Sequence, residues 1–327
     1  MAANELLDNV LLQPTDKAWI NIVNKIYDNF SSPFTDSPMQ EIIKREKAMV
    51  GLETIIAGAA WDLWCSFENS VPKTAKLIQN FWDSDVNGKA VLIIDGLSMR
   101  EMPFLIDQGN SRGYTIIQST VSSSALPSDT TFFAKSLGFS SRAELSNNGA
   151  GKNHFLNGAV TDCVDLPWED CVNLISSEPN WVLWHTKFDD LIHEYKGPGK
   201  GIRELCKKSE EFFTSDAFWK LIERLSNGRK IVITSDHGYA STGDFLNISG
   251  EQGDYLKATF KNQRYTKSGQ RNGDSIPPLN ITLKSDNGEF QYVLGRRKWK
   301  SSGGYPTLAH GGLSLMETLV PFIELSK

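Results

Sequence analysis

IVITSDHGYA, residues 231–240, runs four strand-forming residues, Ile231 to Thr234, into Ser235 and then an adjacent acid and imidazole, Asp236 and His237. A short, continuously apolar run bounded by polar residues is the pattern of a strand buried on both faces. Related stretches recur at AVLII (90–94), closed by Asp95–Gly96, at GYTIIQSTV (113–121) and at WVLWHT (181–186). A long amphipathic helix over roughly 201–227 precedes the opening stretch. Apolar strands alternating with helices predict an α/β fold: a mostly parallel central sheet with helices on both faces.

The 327 residues leave room for one large α/β domain or two small ones. A net charge of -5 offers no general attraction to nucleic acid or anionic membrane, so an anionic substrate needs a metal or a local basic patch. MAANELLDNV has no basic stretch followed by an apolar one, and no run of about 18 apolar residues occurs, so neither signal peptide nor membrane span is expected. The four cysteines lack CxxC spacing, which fits a reduced, cytoplasmic compartment without disulfides.

Residues 1–85 read as an N-terminal helical segment packing on the core. Trp19, Ile22, Val23, Ile26 and Phe30 stand near helical spacing, Ser37–Pro38 opens a second helix, and Val71–Pro72 precedes a third. Residues 86–327 form the second unit, with an antiparallel insertion near 241–304 in which DYLKATF and EFQYVL are strand-like. GAGK (149–152) is not a phosphate loop, because Ser146 and Asn153 stand where Gly and Ser or Thr are needed. GRRKWK (295–300) reads first as a hairpin edge defended by charge, and second as a nucleic-acid contact with a base on Trp299.

Ligands of open parallel sheets sit beyond the carboxyl ends of the strands. Asp95 and Asp236–His237 end two predicted strands, and Asp189 and Asp190 follow a third, with His193 beyond them. If those strands are parallel, the three motifs share one edge. Asp189 and His193, four apart, would face the same way on a helix and grip one ion, with Asp190 as the alternative carboxylate. His310 lies in AHGG, where glycines leave space around a ligand, whereas His154 and His185 are not expected to bind metal. Zinc accepts such mixed carboxylate and imidazole sets. SSSALPSDTTFFAK (122–135) places Thr130 near a helix start, as a capping residue or, beside a metal, as a nucleophile. Thr131 is the alternative.

In this order, Asp95, Thr130, Asp189-x-x-x-His193, Asp236–His237 and His310 resemble the alkaline phosphatase superfamily, specifically its PglZ-domain branch. SDHG and HGGLSLMETLVPF look like family signatures, LPSDT is similar to the nucleophile segment, and the likeness spans roughly residues 88–325. The resemblance implies an alkaline phosphatase-like fold with two divalent metal ions, zinc or manganese. One would be held by Asp189, His193 and His310, the other by Asp95, Asp236, His237 and the Thr130 oxygen. It implies attack by Thr130 on phosphorus and hydrolysis of the resulting phospho-enzyme.

Three carboxylates and a Thr130 alkoxide then balance two divalent cations, and a diester monoanion asks for less added charge than a monoester dianion. No arginine is evident for a monoester: Ser98 stands where family members often carry one, three residues after the first aspartate. Leu126–Pro127–Ser128 also lacks the arginine of the sulfatase pattern, which argues against sulfate esters. PglZ domains act on phosphodiester bonds in oligonucleotides, so the resemblance implies a phosphodiesterase for nucleotide or oligonucleotide substrates. The alternatives are a phosphomonoesterase or phosphotransferase, or a non-catalytic scaffold of a bacterial phage-defence system with protein partners on the N-terminal helices.

Overall fold

Strand β1 (Lys89–Ile94) runs parallel to both of its neighbours, β4 (Asn180–His185) and β5 (Lys230–Thr234). The structure, a computed structural model, describes residue 8 and residues 10–149, 154–195, 201–241, 245–269, 275–301 and 307–327. Residues 150–152 of the GAGK stretch lie outside them. With β2 (Thr115–Ser123), β3 (Val160–Val164) and β9 (Leu319–Ser326), these strands build a six-stranded sheet in the order β2-β9-β5-β1-β4-β3. β9 is antiparallel to both β2 and β5.

Side chains alternate across the sheet with the two-residue period of a strand. Ala90, Leu92 and Ile94 enter one core with Leu183, Ile231 and Ile233. Val91 and Ile93 enter the opposite core with Val182, Trp184 and Val232. Helices α3 (Thr74–Trp82) and α5 (Thr130–Ser136) cover the second face. The first face is covered by α1 (Thr15–Ser31), α2 (Pro38–Ala59), α4 (Met102–Ser111), α6 (Trp168–Leu174), α7 (Lys187–Tyr195), α8 (Ile202–Thr214) and α9 (Asp216–Ser226). Burial on both faces explains why these strands read as unbroken apolar runs.

Two readings of the sequence are corrected. The stretch 201–227 is not one helix: Ser215, extended at ψ 144°, ends α8 and caps α9 by accepting from the Phe218 N–H at 3.2 Å. The apolar phase survives that break, which hides it from periodicity. DYLKATF is not a strand but lies in helix α10 (Gly250–Phe260), which buries Leu256 and Phe260, four apart, together with Gly253. The rest of the insertion includes a three-stranded antiparallel sheet of β6 (Tyr265–Lys267), β7 (Asn280–Ser285) and β8 (Gly288–Val293).

The N-terminal helices belong to the core. Trp19, Ile22, Ile26 and Phe30 are fully buried, and the Trp19 indole N–H donates to the Leu63 carbonyl at 3.0 Å. Helix α2 buries charge as well as apolar surface. Glu46 lies 2.7 Å from the fully buried Arg100 guanidinium and also accepts from Arg296. Glu53 accepts from Arg296 and from the Leu315 N–H at 2.5 Å. Both readings of GRRKWK are corrected here. Arg296 and Arg297 are buried, Arg297 donates to the Pro278 carbonyl, and the Trp299 N–H donates to the Lys261 carbonyl at 2.9 Å. The segment is an internal clamp, since buried guanidiniums need acceptors and α2 supplies carboxylates.

Candidate active site

The strand ends at the carboxyl edge converge because β1, β4 and β5 are parallel and in register, Ile94 opposite His185 and Ile93 opposite Thr234. The next residue, Asp95, donates its N–H to the His185 carbonyl at 3.0 Å. Gly96 turns the chain at φ +78°, a value glycine adopts without strain. A Cβ there would stand 2.6 Å from Ile192 Cδ1 and 3.5 Å from Asp189 Oδ1, so glycine lets helix α7 close on the strand end. The Gly96 N–H donates to Asp236 Oδ1 at 3.1 Å, which ties the ends of β1 and β5 together. A Cβ on Gly238 would meet the Met316 carbonyl oxygen at 2.4 Å, so glycine lets SDHG pack directly on the METLVPF segment.

Thr130 is the first residue of α5, and its hydroxyl donates to Asp236 Oδ2 at 2.7 Å, with Asp95 Oδ1 at 3.4 Å. It is not the cap. Asp129 is, its side chain accepting from the Thr131 N–H at 2.9 Å. Thr131 is exposed, so the geometry separates the two threonines. It separates the two aspartates of α7 as well: Asp190 is exposed, while Asp189 is buried and its Oδ2 lies 3.1 Å from His193 Nε2. His310 follows the short Leu308–Ala309 strand paired with Ala240–Ser241. Its ring stacks on His237 at 4.2 Å between centroids and meets His193 edge-on at 5.8 Å.

Two sets of side chains offer ligand atoms within 4.8 Å of one another: Asp189, His193 and His310, and Asp95, Asp189 and His237. Asp189 is common to both. Asp236 stands beside the second set, 3.6 Å from His237 Nε2 and bonded to Thr130. His154 and His185 lie elsewhere, stacked on Phe139 and Trp168 respectively.

The electrostatics of the site call for a cation. Burial, then the Asp236 and Asp189 carboxylates, push Asp95 well above the usual carboxylate range, against the pull of His237 and Arg142. Burial opposes charge on His237, yet Asp236, Asp189 and Asp95 raise it to about 9. Burial would also raise Asp189, but the His193 hydrogen bond and the nearby imidazoles hold it below its ordinary range. Burial and the charge of His237 lower His310 to about 4. Among the described residues, three buried atoms, Asp189 Oδ1, His237 Nε2 and His310 Nδ1, have no hydrogen-bond partner. Buried polar atoms are rarely left so, and three in one pocket fit a bound metal. His237 Nδ1 lies 3.0 Å from the Gly238 carbonyl, a bond that orients Nε2 toward the carboxylates, as in metal-ligating histidines.

A testable linkage follows from the proton held on His237 and the raised Asp95. Metal must displace those protons, so uptake at pH 7 releases protons and affinity rises as pH climbs toward 9. Calorimetry in buffers of different ionisation enthalpy reads that release directly. Heats independent of the buffer would contradict it.

Sequence reasoning missed two contributors. Arg142, in the 3₁₀ turn Arg142–Asn148, donates to Asp95 Oδ2, and the Trp184 indole N–H donates to the same oxygen at 3.0 Å. SRAEL has no motif and its arginine sits 47 residues from Asp95, so no spacing rule could have found it. Trp184 faces the second core midway along a predicted strand and read only as packing. Arg100, two residues past Ser98, lies over the Tyr239 ring and pairs with Glu46.

The description "BREX system PglZ alkaline phosphatase-like domain" matches residues 111–325, more than half of the chain. Asp95 and β1 lie before that span, and the fold brings them to it. No curated protein matches. Among solved structures, murine ectonucleotide pyrophosphatase/phosphodiesterase 5 is similar at 12% identity, over 73% of this chain and 88% of that one, with a TM-score of 0.45. The human protein of the same name is similar at 13% identity, over 72% and 87%, with a TM-score of 0.43. On the family match, this chain belongs to the PglZ family of alkaline phosphatase-like domains.

Proposed function

We propose that the protein is a metal-dependent phosphodiesterase acting on nucleotide or oligonucleotide substrates, with Thr130 as nucleophile. The observation that carries this reading is the Thr130 hydroxyl, held 2.7 Å from Asp236 Oδ2 and beside the two ligand sets that share Asp189. Asp189, His193 and His310 would hold one divalent ion, and Asp95, Asp236 and His237 the other. Such ions, when bound, polarise phosphoryl oxygens and stabilise negative charge on attacking and leaving oxygens. Asp236 Oδ2 would take the Thr130 proton as the threonine oxygen bonds to phosphorus, and the leaving oxygen would depart as an alkoxide that takes a proton from solvent. Water then cleaves the phospho-threonine and restores the hydroxyl.

Arg142 bears on the choice of ester. Asp95, Asp189 and Asp236 with a Thr130 alkoxide balance two divalent cations, and Arg142 beside Asp95 adds one positive charge. A diester monoanion is then neutralised, whereas a monoester dianion leaves an unbalanced charge. Arg142 thus supplies, from elsewhere in the chain, the arginine that Ser98 does not, which removes one argument against a monoester and leaves the choice of ester to the substrate test.

The test is a pair of substrates with the metal-loaded protein. Bis(p-nitrophenyl) phosphate is expected to be cleaved faster than p-nitrophenyl phosphate, with activity lost in chelator and restored by zinc or manganese. The reverse preference makes the protein a phosphomonoesterase. Inertness toward both, at full metal occupancy, overturns the enzymatic reading.

A further inference from the structure

Helix α2 presents Gln40, Ile43, Lys44 and Lys47 on a flank away from its buried carboxylates. Together with Met39 they face Arg203, the second residue of α8, across an open cleft of about 440 Å³. Among the described residues that line it, none is acidic. Lys44, Lys47 and Arg203 are exposed, and among the described residues Lys47 and Arg203 have no ion-pair partner. Lys44 has only Glu41 on its own helix at 3.7 Å, an exposed pairing worth little. In a chain of net charge -5, three cations facing one cleft are a local exception.

Arg203 is close along the chain to an element of the site. Arg203 follows Gly201 by two residues, and the Gly201 N–H donates to the Tyr195 carbonyl at 2.9 Å. Tyr195 ends the helix that carries Asp189 and the exposed His193. Thr307, three residues before His310, donates its hydroxyl to that same carbonyl at 2.9 Å. The start of α8 and Thr307 are therefore both tied to the end of the helix that carries Asp189 and His193.

We propose that this cleft holds the backbone of a single-stranded phosphodiester chain whose scissile bond lies at Thr130, an inference that rests on the phosphodiesterase reading above. Long basic side chains from two helices reach successive phosphates, while Met39 and Ile43 give sugars and bases an apolar floor. The N-terminal helices thereby supply substrate surface in addition to core.

The experiment measures binding of a labelled single-stranded oligonucleotide of about twelve nucleotides. It uses the full chain carrying Thr130→Ala, so that cleavage does not intervene. Adding Lys44→Ala, Lys47→Ala and Arg203→Ala is expected to weaken binding roughly tenfold or more at moderate salt. Three lost phosphate contacts should also make the slope of log K against log salt shallower by about 2, at about 0.7 per contact on a single strand. Unchanged affinity and slope overturn the proposal. So does polyglutamate binding more tightly than the oligonucleotide with the same loss in the triple variant, which would assign the cleft to an acidic polypeptide. The unsubstituted protein is assayed separately on bis(p-nitrophenyl) phosphate. Failure there overturns the phosphodiesterase reading, while the binding series still decides the cleft.

Discussion

Thr130→Ala is expected to lower turnover of a phosphodiester by about 10⁴-fold or more, the scale of loss when a covalent nucleophile is removed. The alanine keeps the start of α5, because the cap is Asp129 and not the threonine. It removes the hydroxyl that reaches toward both Asp95 and Asp236. Metal content, measured by elemental mass spectrometry, should stay near that of the unsubstituted protein. Thr130→Ser restores a hydroxyl and part of the rate, while Thr131→Ala, at an exposed position, changes turnover little. Turnover in Thr130→Ala within tenfold of the unsubstituted enzyme would remove the covalent mechanism.

Glu46→Ala is expected to destabilise the fold by about 3–5 kcal/mol, since it strips a buried ion-pair network of its central carboxylate. Arg100 is fully buried and Arg296 nearly so, and both reach Glu46. In a protein of this size that loss lowers Tm by roughly 4–7 °C. The sign of its pH dependence follows from the same geometry. Burial would raise the Glu46 carboxyl, but Arg100 and Arg296 together hold it below its ordinary value. Its contribution is therefore complete above the usual carboxylate range and fades as pH falls through the lowered value. The loss also reaches the site, because Arg100 Nη1 donates to the Tyr239 carbonyl at 2.6 Å, two residues past His237. Thermal unfolding of Glu46→Ala within two or three degrees of the unsubstituted protein would show that the arginines find other acceptors.

What was legible in the sequence had local causes. β1, β4 and β5 showed themselves because each is buried on both faces and ends at a polar residue. Asp189 and His193 were legible as a pair because one helical turn separates them. Asp95, Thr130, Asp236, His237 and His310 were found as an ordered set by likeness to a family, and the fold gathers them at one edge. What stayed hidden depends on contacts between distant positions. Arg142 carries no pattern of its own. The charges of GRRKWK looked solvated because the carboxylates that neutralise Arg296 stand 243 and 250 residues earlier. Ser215 breaks a helix without breaking its apolar phase, and DYLKATF had too few apolar positions to separate a period of two from one of 3.6.

The antiparallel β9 has a bearing on how the protein is made. It lies between β2 and β5, so residues 319–326 alone join β2 to the rest of the sheet. While a ribosome has yet to release them, the nascent chain carries two open edges, one on each flank of the gap that β9 will fill. Unpaired edges of this kind recruit other strands. Stalled or truncated chains that stop before residue 319 should therefore clump, even though every metal-competent side chain has already been translated.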